Sequence, residues 1–231
     1  VGNAYSRHRL FDTAQEIYIR AAEIEPAYIF VYEDLYDLAR VQGMPDAALG
    51  WLERASSFVP DYAPLSEGLV DLYVEQDRLD DALALLERIL DAHPDEAWAH
   101  FRLGHLRIQL RDYGGAIESF ERTLEVEPSR VEGWTSLGTA YYESGDTDAA
   151  IVAYEQALKI DPKDDHSLNN LAWTYAVRGE RIDEAIRLSK RSLRIRPDTP
   201  QYLDTLADLY YQSGQRAQAV GVIRYALSLN P

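Results

Sequence analysis

The chain has 231 residues, of which 46% are hydrophobic and 27% are charged, an ordinary composition for a folded domain. Its formal net charge of −16 argues against nucleic acid as a partner, because an acidic surface repels phosphate groups. No apolar run reaches the roughly 18 residues that a membrane-spanning helix needs. Cysteine is absent, which excludes disulfides, thiolate metal sites and cysteine nucleophiles in this sequence.

Seven of the ten prolines recur at a spacing of 34 or 35 residues: Pro26, Pro60, Pro94, Pro128, Pro162, Pro197 and Pro231. An alanine stands twelve residues before each of them: Ala14, Ala48, Ala82, Ala116, Ala150, Ala185 and Ala219. A register this long predicts an internal repeat rather than isolated motifs. We therefore expect seven similar units, of which the first is truncated.

Each unit is predicted to form two antiparallel helices, and residues 131–164 show the pattern most clearly. Spacings of three and four residues place one stripe on each helix: Trp134, Leu137, Gly138 and Tyr141, then Ala150, Tyr154 and Ala157. The small residues Gly138 and Ala150 are expected to let the two helices approach closely. Gly145 suits the left-handed end of the first helix, and Pro162 helps to end the second.

This pattern, W-x2-L-G-x2-Y followed by A, an aromatic or aliphatic residue, A and P, resembles the tetratricopeptide repeat family over the whole chain. The resemblance implies an all-α fold, a right-handed superhelical α-solenoid of stacked antiparallel helix pairs. One helix pair cannot bury its apolar stripe alone, so neighbouring pairs must stack. We expect a single domain over residues 1–231, with units at about 1–28, 29–62, 63–96, 97–130, 131–164, 165–199 and 200–231.

Three units depart from the pattern. The first begins in mid-helix, with Val1, Gly2 and Tyr5 at the positions of Leu137, Gly138 and Tyr141, so we expect a fragment of a longer chain. The sixth carries one extra residue between its helices, within 177–185, which a loop absorbs most easily. The last has no polar capping helix, so the apolar face that includes Val222 and Leu229 is expected to be exposed or covered by a neighbouring molecule.

No catalytic motif is present: the sequence lacks a phosphate loop, a dinucleotide fingerprint, a nucleophile elbow and a zinc-protease motif. His100 and His105 are five residues apart, which places them on different helical faces rather than in one metal site. We therefore expect neither an enzyme nor a bound cofactor. The large aromatic residues on the stripes are expected to be core: Trp134, Tyr141, Tyr154, Tyr175 and Tyr210.

The resemblance implies that the first helix of each pair lines a concave groove in which partners bind. The corresponding positions carry acids in the second and third units: Glu33, Asp37, Glu67, Asp71 and Glu75. Further along they carry aromatic residues off the packing stripes: Trp98, Phe101, Tyr142 and Trp173. His105, Thr139, Asn169 and Asp208 complete the predicted groove. The alternatives are that the acids form a solvated face and that some aromatic residues pack against the next unit.

Acids beside aromatic residues predict a basic or amphipathic protein segment with apolar anchors as the partner, without nucleic acid or membrane insertion. The groove positions lack the lysines with which some family members hold a C-terminal carboxylate, so recognition of that kind is not expected. We expect a non-catalytic protein-interaction scaffold. The alternatives are a self-assembly module, or the regulatory arm of an enzyme whose catalytic domain lies elsewhere.

Charge is distributed unevenly along the chain. Residues 1–128 contain 25 acids against 11 arginines, whereas residues 129–231 contain 14 acids against 12 basic residues. The segment RLSKRSLRIR at 187–196 places Arg187, Lys190, Arg191 and Arg194 on a second helix, which points outward. This run is a solvated or ion-paired face, or else an outer docking site for an acidic partner or for the acidic half of a second copy.

Overall fold

The structure, a computed structural model, describes residues 10–59 and 62–229. Thirteen α-helices lie in these ranges: α1 (Phe11–Ile24), α2 (Ile29–Val41), α3 (Pro45–Phe58), α4 (Ala63–Glu75), α5 (Leu79–Ala92), α6 (Ala97–Gln109), α7 (Tyr113–Val126), α8 (Val131–Ser144), α9 (Thr147–Ile160), α10 (Asp165–Arg178), α11 (Ile182–Ile195), α12 (Pro200–Gln212) and α13 (Arg216–Leu229). They pack pairwise as a helical-repeat solenoid, so the predicted all-α fold is confirmed. Val1, Gly2, Tyr5, Pro60 and Pro231, on which the repeat pattern also rested, lie outside the described residues.

The chain forms two compact units, residues 1–99 and residues 100–231. In the first unit each helix from α1 to α5 packs against the next one in the chain. In the second unit the same holds from α7 to α13, and first helices also contact one another, α8 with α10 and α10 with α12. Within residues 100–231 the first helices therefore form a continuous face.

The close approach of paired helices rests on a glycine under an aromatic ring. A Cβ atom added to Gly138 would lie 2.6 Å from two ring carbons of Tyr154 on the opposite helix, and one added to Gly104 would lie 2.6 Å from Phe120. Ala150 is fully buried at the same contact. The expectation of a close helix–helix approach at Gly138 and Ala150 is confirmed.

Turns between paired helices use the residues that the sequence indicated. Gly145 ends α8 in the left-handed conformation, with φ of +91°, and Asp146 accepts a hydrogen bond from Ala149 N at 3.0 Å at the start of α9. The extra residue of the sixth unit lies in the turn before α11, where Arg181 has a φ of +48°. The loop therefore absorbs the insertion without altering the lengths of α10 and α11.

Two aromatic residues that were expected in the core lie at its edge. Tyr154, Tyr175 and Tyr210 are buried as predicted, but Trp134 and Tyr141 are only half-buried. Both rings pack against the core, but the second helices on either side, α7 and α9, leave a groove open above them. In the last helix, Leu229 is exposed as expected, whereas Val222 packs against the core.

The contact at Gly138 generates a stability prediction. Gly138→Ala should lower the free energy of unfolding by about 1–3 kcal/mol, because the new methyl group meets the ring of Tyr154, which has no room to move. The measurement is denaturant unfolding followed by circular dichroism.

Gly114→Ala is the matched control for that variant. A Cβ added to Gly114 meets nothing within 4 Å, so the helical preference of alanine should raise the stability by up to about 1 kcal/mol. Equal stabilisation by both substitutions would contradict the proposed close contact.

Candidate partner-binding faces

The five acids predicted for the groove lie on α2 and α4 of the first unit, and we call them the acidic face: Glu33, Asp37, Glu67, Asp71 and Glu75. Asp37 and Glu75 are exposed and the other three are half-buried. Arg40 compensates part of this charge, since its Nη1 lies 2.5 Å from Glu75 Oε2. Five carboxylates on two neighbouring helices still leave the face negative.

The surroundings of Tyr36 show that carboxylates of α2 and α4 lie close to one another. Its pKa is raised first by burial; Arg40 opposes the shift, and Asp37, Asp71 and Glu75 add to it. Because Asp37 belongs to α2 and Asp71 to α4, the two helices direct negative charge toward the same ring.

Trp98 is half-buried near the end of the first unit. Its indole Nε1 is buried and has no hydrogen-bond partner among the residues that the structure describes. An unpaired buried indole N–H is costly, so this side chain is not a simple exposed anchor.

Phe101, in contrast, is fully engaged within the second unit. The guanidinium carbon of Arg130 lies 4.1 Å from the centroid of its ring, and its edge contacts His105, with ring centroids 4.6 Å apart. His105 also packs against Phe120 and shares a 3.2 Å hydrogen bond between Nε2 and Ser136 Oγ. Arg130 therefore covers a face of the Phe101 ring, whereas His105 stays exposed.

Tyr142 and Trp173 form an aromatic pair across the first helices α8 and α10. Trp173 Nε1 donates a 2.7 Å hydrogen bond to Tyr142 Oη, and Trp173 is 38% exposed. The hydrogen bond fixes the indole while its surface stays open to solvent. This aromatic pair is the best-defined exposed apolar feature among the predicted groove residues.

The polar groove residues are less accessible than the sequence suggested. Thr139 Oγ1 donates to Thr135 O at 3.1 Å and accepts from Tyr154 Oη at 3.3 Å. Asp208 accepts a 2.6 Å hydrogen bond from Gln212 Nε2. Asn169 is only 6% exposed, since α10 is packed between α8 and α12, and its Oδ1 has no partner within the described part of the chain.

A groove that the sequence analysis missed lies on the side formed by the second helices. It runs between α7 and α9, has a volume of about 460 Å³, and has Trp134, Leu137 and Tyr141 as its floor. We call it the Tyr141 groove. The sequence contains one signal for this groove, the residue that precedes each second helix. That residue is Asp146 in this repeat, whereas two other repeats have an arginine.

Within the residues that the structure describes, no group of three or more His, Asp or Glu side chains is arranged to hold a metal ion. The same residues contain no helix that is both long and apolar enough to span a bilayer.

His105 generates a pH prediction. Burial, followed by the charges of Arg102 and Arg130, lowers the pKa of its imidazole. The ring should therefore titrate below about 6.5, and the free energy of unfolding should fall as pH drops through that value, since the unfolded chain takes up the proton first. The measurement is the pH dependence of the His105 Hε1 signal in NMR spectra, and a midpoint at or above about 6.5 would contradict the assigned environment.

Comparison with known proteins shows the family and the fold. Residues 63–231 match the model of the cilia and flagella-associated protein 70 C-terminal domain, a tetratricopeptide repeat model. A search of curated proteins gives no significant match.

Comparison with solved structures shows the same fold in other proteins. A tetratricopeptide repeat protein from Parabacteroides merdae is 21% identical with a TM-score of 0.74, and the alignment covers 100% of this chain and 91% of that one. YrrB, described as a repeat protein with an unusual peptide-binding site, is 20% identical with a TM-score of 0.63, over 82% and 97% of the two chains. A thermophilic repeat protein from Thermus thermophilus is 25% identical with a TM-score of 0.58, over 71% and 89%.

Proposed function

The chain belongs to the family of the cilia and flagella-associated protein 70 C-terminal domain, and on that premise we propose that it is a non-catalytic scaffold that binds a partner peptide or helix on its first helices. Tetratricopeptide repeat domains are typically protein-interaction modules. The proposal assigns no catalytic residue and no cofactor.

The aromatic pair carries this proposal. Trp and Tyr dominate the binding energy of protein interfaces when they are held rigidly and can be desolvated by a partner. Trp173 meets both conditions, because its indole is fixed by the 2.7 Å hydrogen bond to Tyr142 and it keeps 38% of its surface exposed. We assign Trp173 as the apolar anchor point within residues 100–231.

The acidic face supports a basic or amphipathic partner segment at the first unit. A binding segment with lysine or arginine side chains would add positive charge beside this group of carboxylates. Such contacts mainly increase the association rate and the selectivity, whereas the aromatic anchor contributes most of the affinity. Each face is proposed for its own compact unit.

The test of the anchor uses peptides selected from a random display library on the immobilised wild-type domain. Trp173→Ala should weaken the selected peptides by about tenfold or more, as expected for a hot-spot aromatic residue. Isothermal titration calorimetry measures the affinities, and circular dichroism verifies unchanged helicity.

Ile195→Ala is the matched control, because Ile195 is an exposed apolar residue, 41% exposed, on the second helix α11 rather than on the first helices. Its affinities should equal those of the wild type. If every selected peptide binds Trp173→Ala as tightly as the wild type, the proposed anchor is wrong.

A second candidate function, self-assembly, is supported by the exposed cations of α11. Arg187, Lys190, Arg191 and Arg194 form this basic face, and none of them makes an ion pair with another residue that the structure describes. An uncompensated basic helix face on a chain of net charge −16 is complementary to the acidic residues of a second copy.

Sedimentation velocity over a salt series tests self-assembly. A charge-driven assembly should dissociate as the salt concentration rises from about 0.01 M to 1 M, because the Debye length falls from about 30 Å to 3 Å. The double substitution Arg187→Glu and Arg194→Glu should abolish it at low salt. A monomer at every salt concentration would rule this candidate out.

A further inference from the structure

The Tyr141 groove lies on the side formed by the second helices, and Tyr142 and Trp173 do not line it. In two other repeats an arginine of the chain itself lies over the equivalent tyrosine. Tyr73 and Tyr175 occupy the repeat position of Tyr141. Beside each of them, the residue before the following second helix is an arginine, Arg78 or Arg181. The side chains over these two rings indicate what fits over the third.

Arg78 lies over the ring of Tyr73 in the first unit, beside an equivalent groove that keeps a volume of about 470 Å³. Its guanidinium carbon lies 4.5 Å from the centroid of the Tyr73 ring. Its Nη1 lies 3.3 Å from Glu53 Oε1 and its Nε lies 2.6 Å from Asp81 Oδ2, so that it bridges α3 and α5. Tyr73 Oη donates to the same Glu53 at 3.1 Å.

Arg181 lies over the ring of the equivalent tyrosine, Tyr175, in the second unit. Its guanidinium carbon lies 5.2 Å from the ring centroid, and its Nη1 donates to Tyr175 Oη at 2.8 Å. Glu155 and Glu184, on α9 and α11, lie 4.0 and 3.9 Å from the same nitrogen. Two repeats therefore hold an arginine on a tyrosine between two carboxylates.

The Tyr141 groove keeps the tyrosine and one carboxylate but lacks the arginine. Tyr141 Oη donates to Glu121 Oε1 at 2.9 Å, as Tyr73 does to Glu53. Asp146 stands at the position of the two arginines, and its carboxylate caps α9 instead of reaching the ring. Ala149 replaces the second carboxylate, and the lining of the Tyr141 groove is more apolar than that of the groove at Tyr73.

No cation of the described residues lies over Tyr141 or pairs with Glu121, whereas Tyr210 in the last repeat has Lys190 Nζ at 5.2 Å from its ring centroid. A neighbouring ion pair, between Glu125 and Arg122 at 2.7 Å, joins two exposed side chains of α7. Burial and the Glu121 hydrogen bond raise the pKa of Tyr141 to about 12, while Arg181 opposes the corresponding rise at Tyr175. The groove thus has uncompensated negative charge beside an open aromatic ring.

We propose that the Tyr141 groove binds an arginine side chain of a partner polypeptide, with the guanidinium stacked on Tyr141 and paired with Glu121. Apolar residues that flank this arginine contact Trp134, Leu137 and Val152, which line the groove. Arginine fits better than lysine, because a planar guanidinium stacks on a ring and donates to a carboxylate at the same time.

The test uses the blocked tripeptide acetyl-Leu-Arg-Leu-amide as a probe in an NMR titration of the whole domain. The indole signal of Trp134, whose Nε1 donates to Pro128 O at 2.9 Å beside the groove, should shift with a dissociation constant on the order of 1 mM. The Trp173 indole signal should stay in place. The same peptide with citrulline or lysine at the centre should bind at least about fivefold more weakly.

Glu121→Gln should weaken the arginine probe about tenfold, because glutamine still accepts the Tyr141 hydrogen bond but has no charge. Glu118→Gln is the control: it removes the same charge from α7 at a residue that does not line the Tyr141 groove, so this variant should bind like the wild type. Equal binding of the citrulline or lysine probe, unchanged binding by Glu121→Gln, or a shift at Trp173 instead of Trp134 would overturn the proposal.

The substitution Asp146→Arg provides an independent test of the same proposal. It places an arginine where Arg78 and Arg181 stand, so it should cover the ring of Tyr141, pair with Glu121 and abolish binding of the probe. Helices α5 and α11 begin at such an arginine without a side-chain cap, so α9 should still form. If a folded Asp146→Arg protein binds the probe at wild-type affinity, the proposal is contradicted. If that variant does not fold, the Glu121→Gln result tests the proposal by itself.

Discussion

The contact of an aromatic ring with a glycine across two of the helix pairs fixes the spacing of the helices on which the proposed sites depend. Tyr154 lies directly on Gly138, and Phe120 lies on Gly104, at distances that leave no space for a Cβ atom. Because the rings are buried at these contacts, the paired helices are held at a fixed separation and the outward faces of the first helices come into line. The aromatic pair on α8 and α10 depends on this spacing, since its hydrogen bond joins side chains of successive repeats.

The same packing explains why the side formed by the second helices has grooves. First helices contact one another in residues 100–231, whereas α7 and α9 stand apart above Trp134 and Tyr141. The repeats differ in whether a long side chain covers the tyrosine that borders the groove. Arg181 lies over the ring of Tyr175, whereas Asp146 caps α9 and leaves the ring of Tyr141 uncovered.

The sequence predicted the fold well because the helix periodicity and the repeat register depend on local spacing, and local spacing persists through every unit. It predicted the site less well, because exposure depends on contacts between units. Phe101 was expected as a free aromatic residue, yet Arg130, distant in sequence, covers it. Asn169 was assigned to the groove, yet the approach of α8 and α12 buries it. Trp134 and Tyr141 have the pattern of core residues, and only the separation of α7 and α9 shows that they border a groove.

The residue before each second helix has two incompatible roles. An aspartate there, such as Asp146, caps the helix and leaves the neighbouring tyrosine accessible. An arginine there, such as Arg78, gives up the cap and covers the ring. Each repeat has its own residue at this position. One position per 34 residues therefore determines how many accessible tyrosine sites the domain has. Single substitutions at this position can therefore change the number of sites for an arginine-bearing partner, while the helices and their stacking stay unchanged.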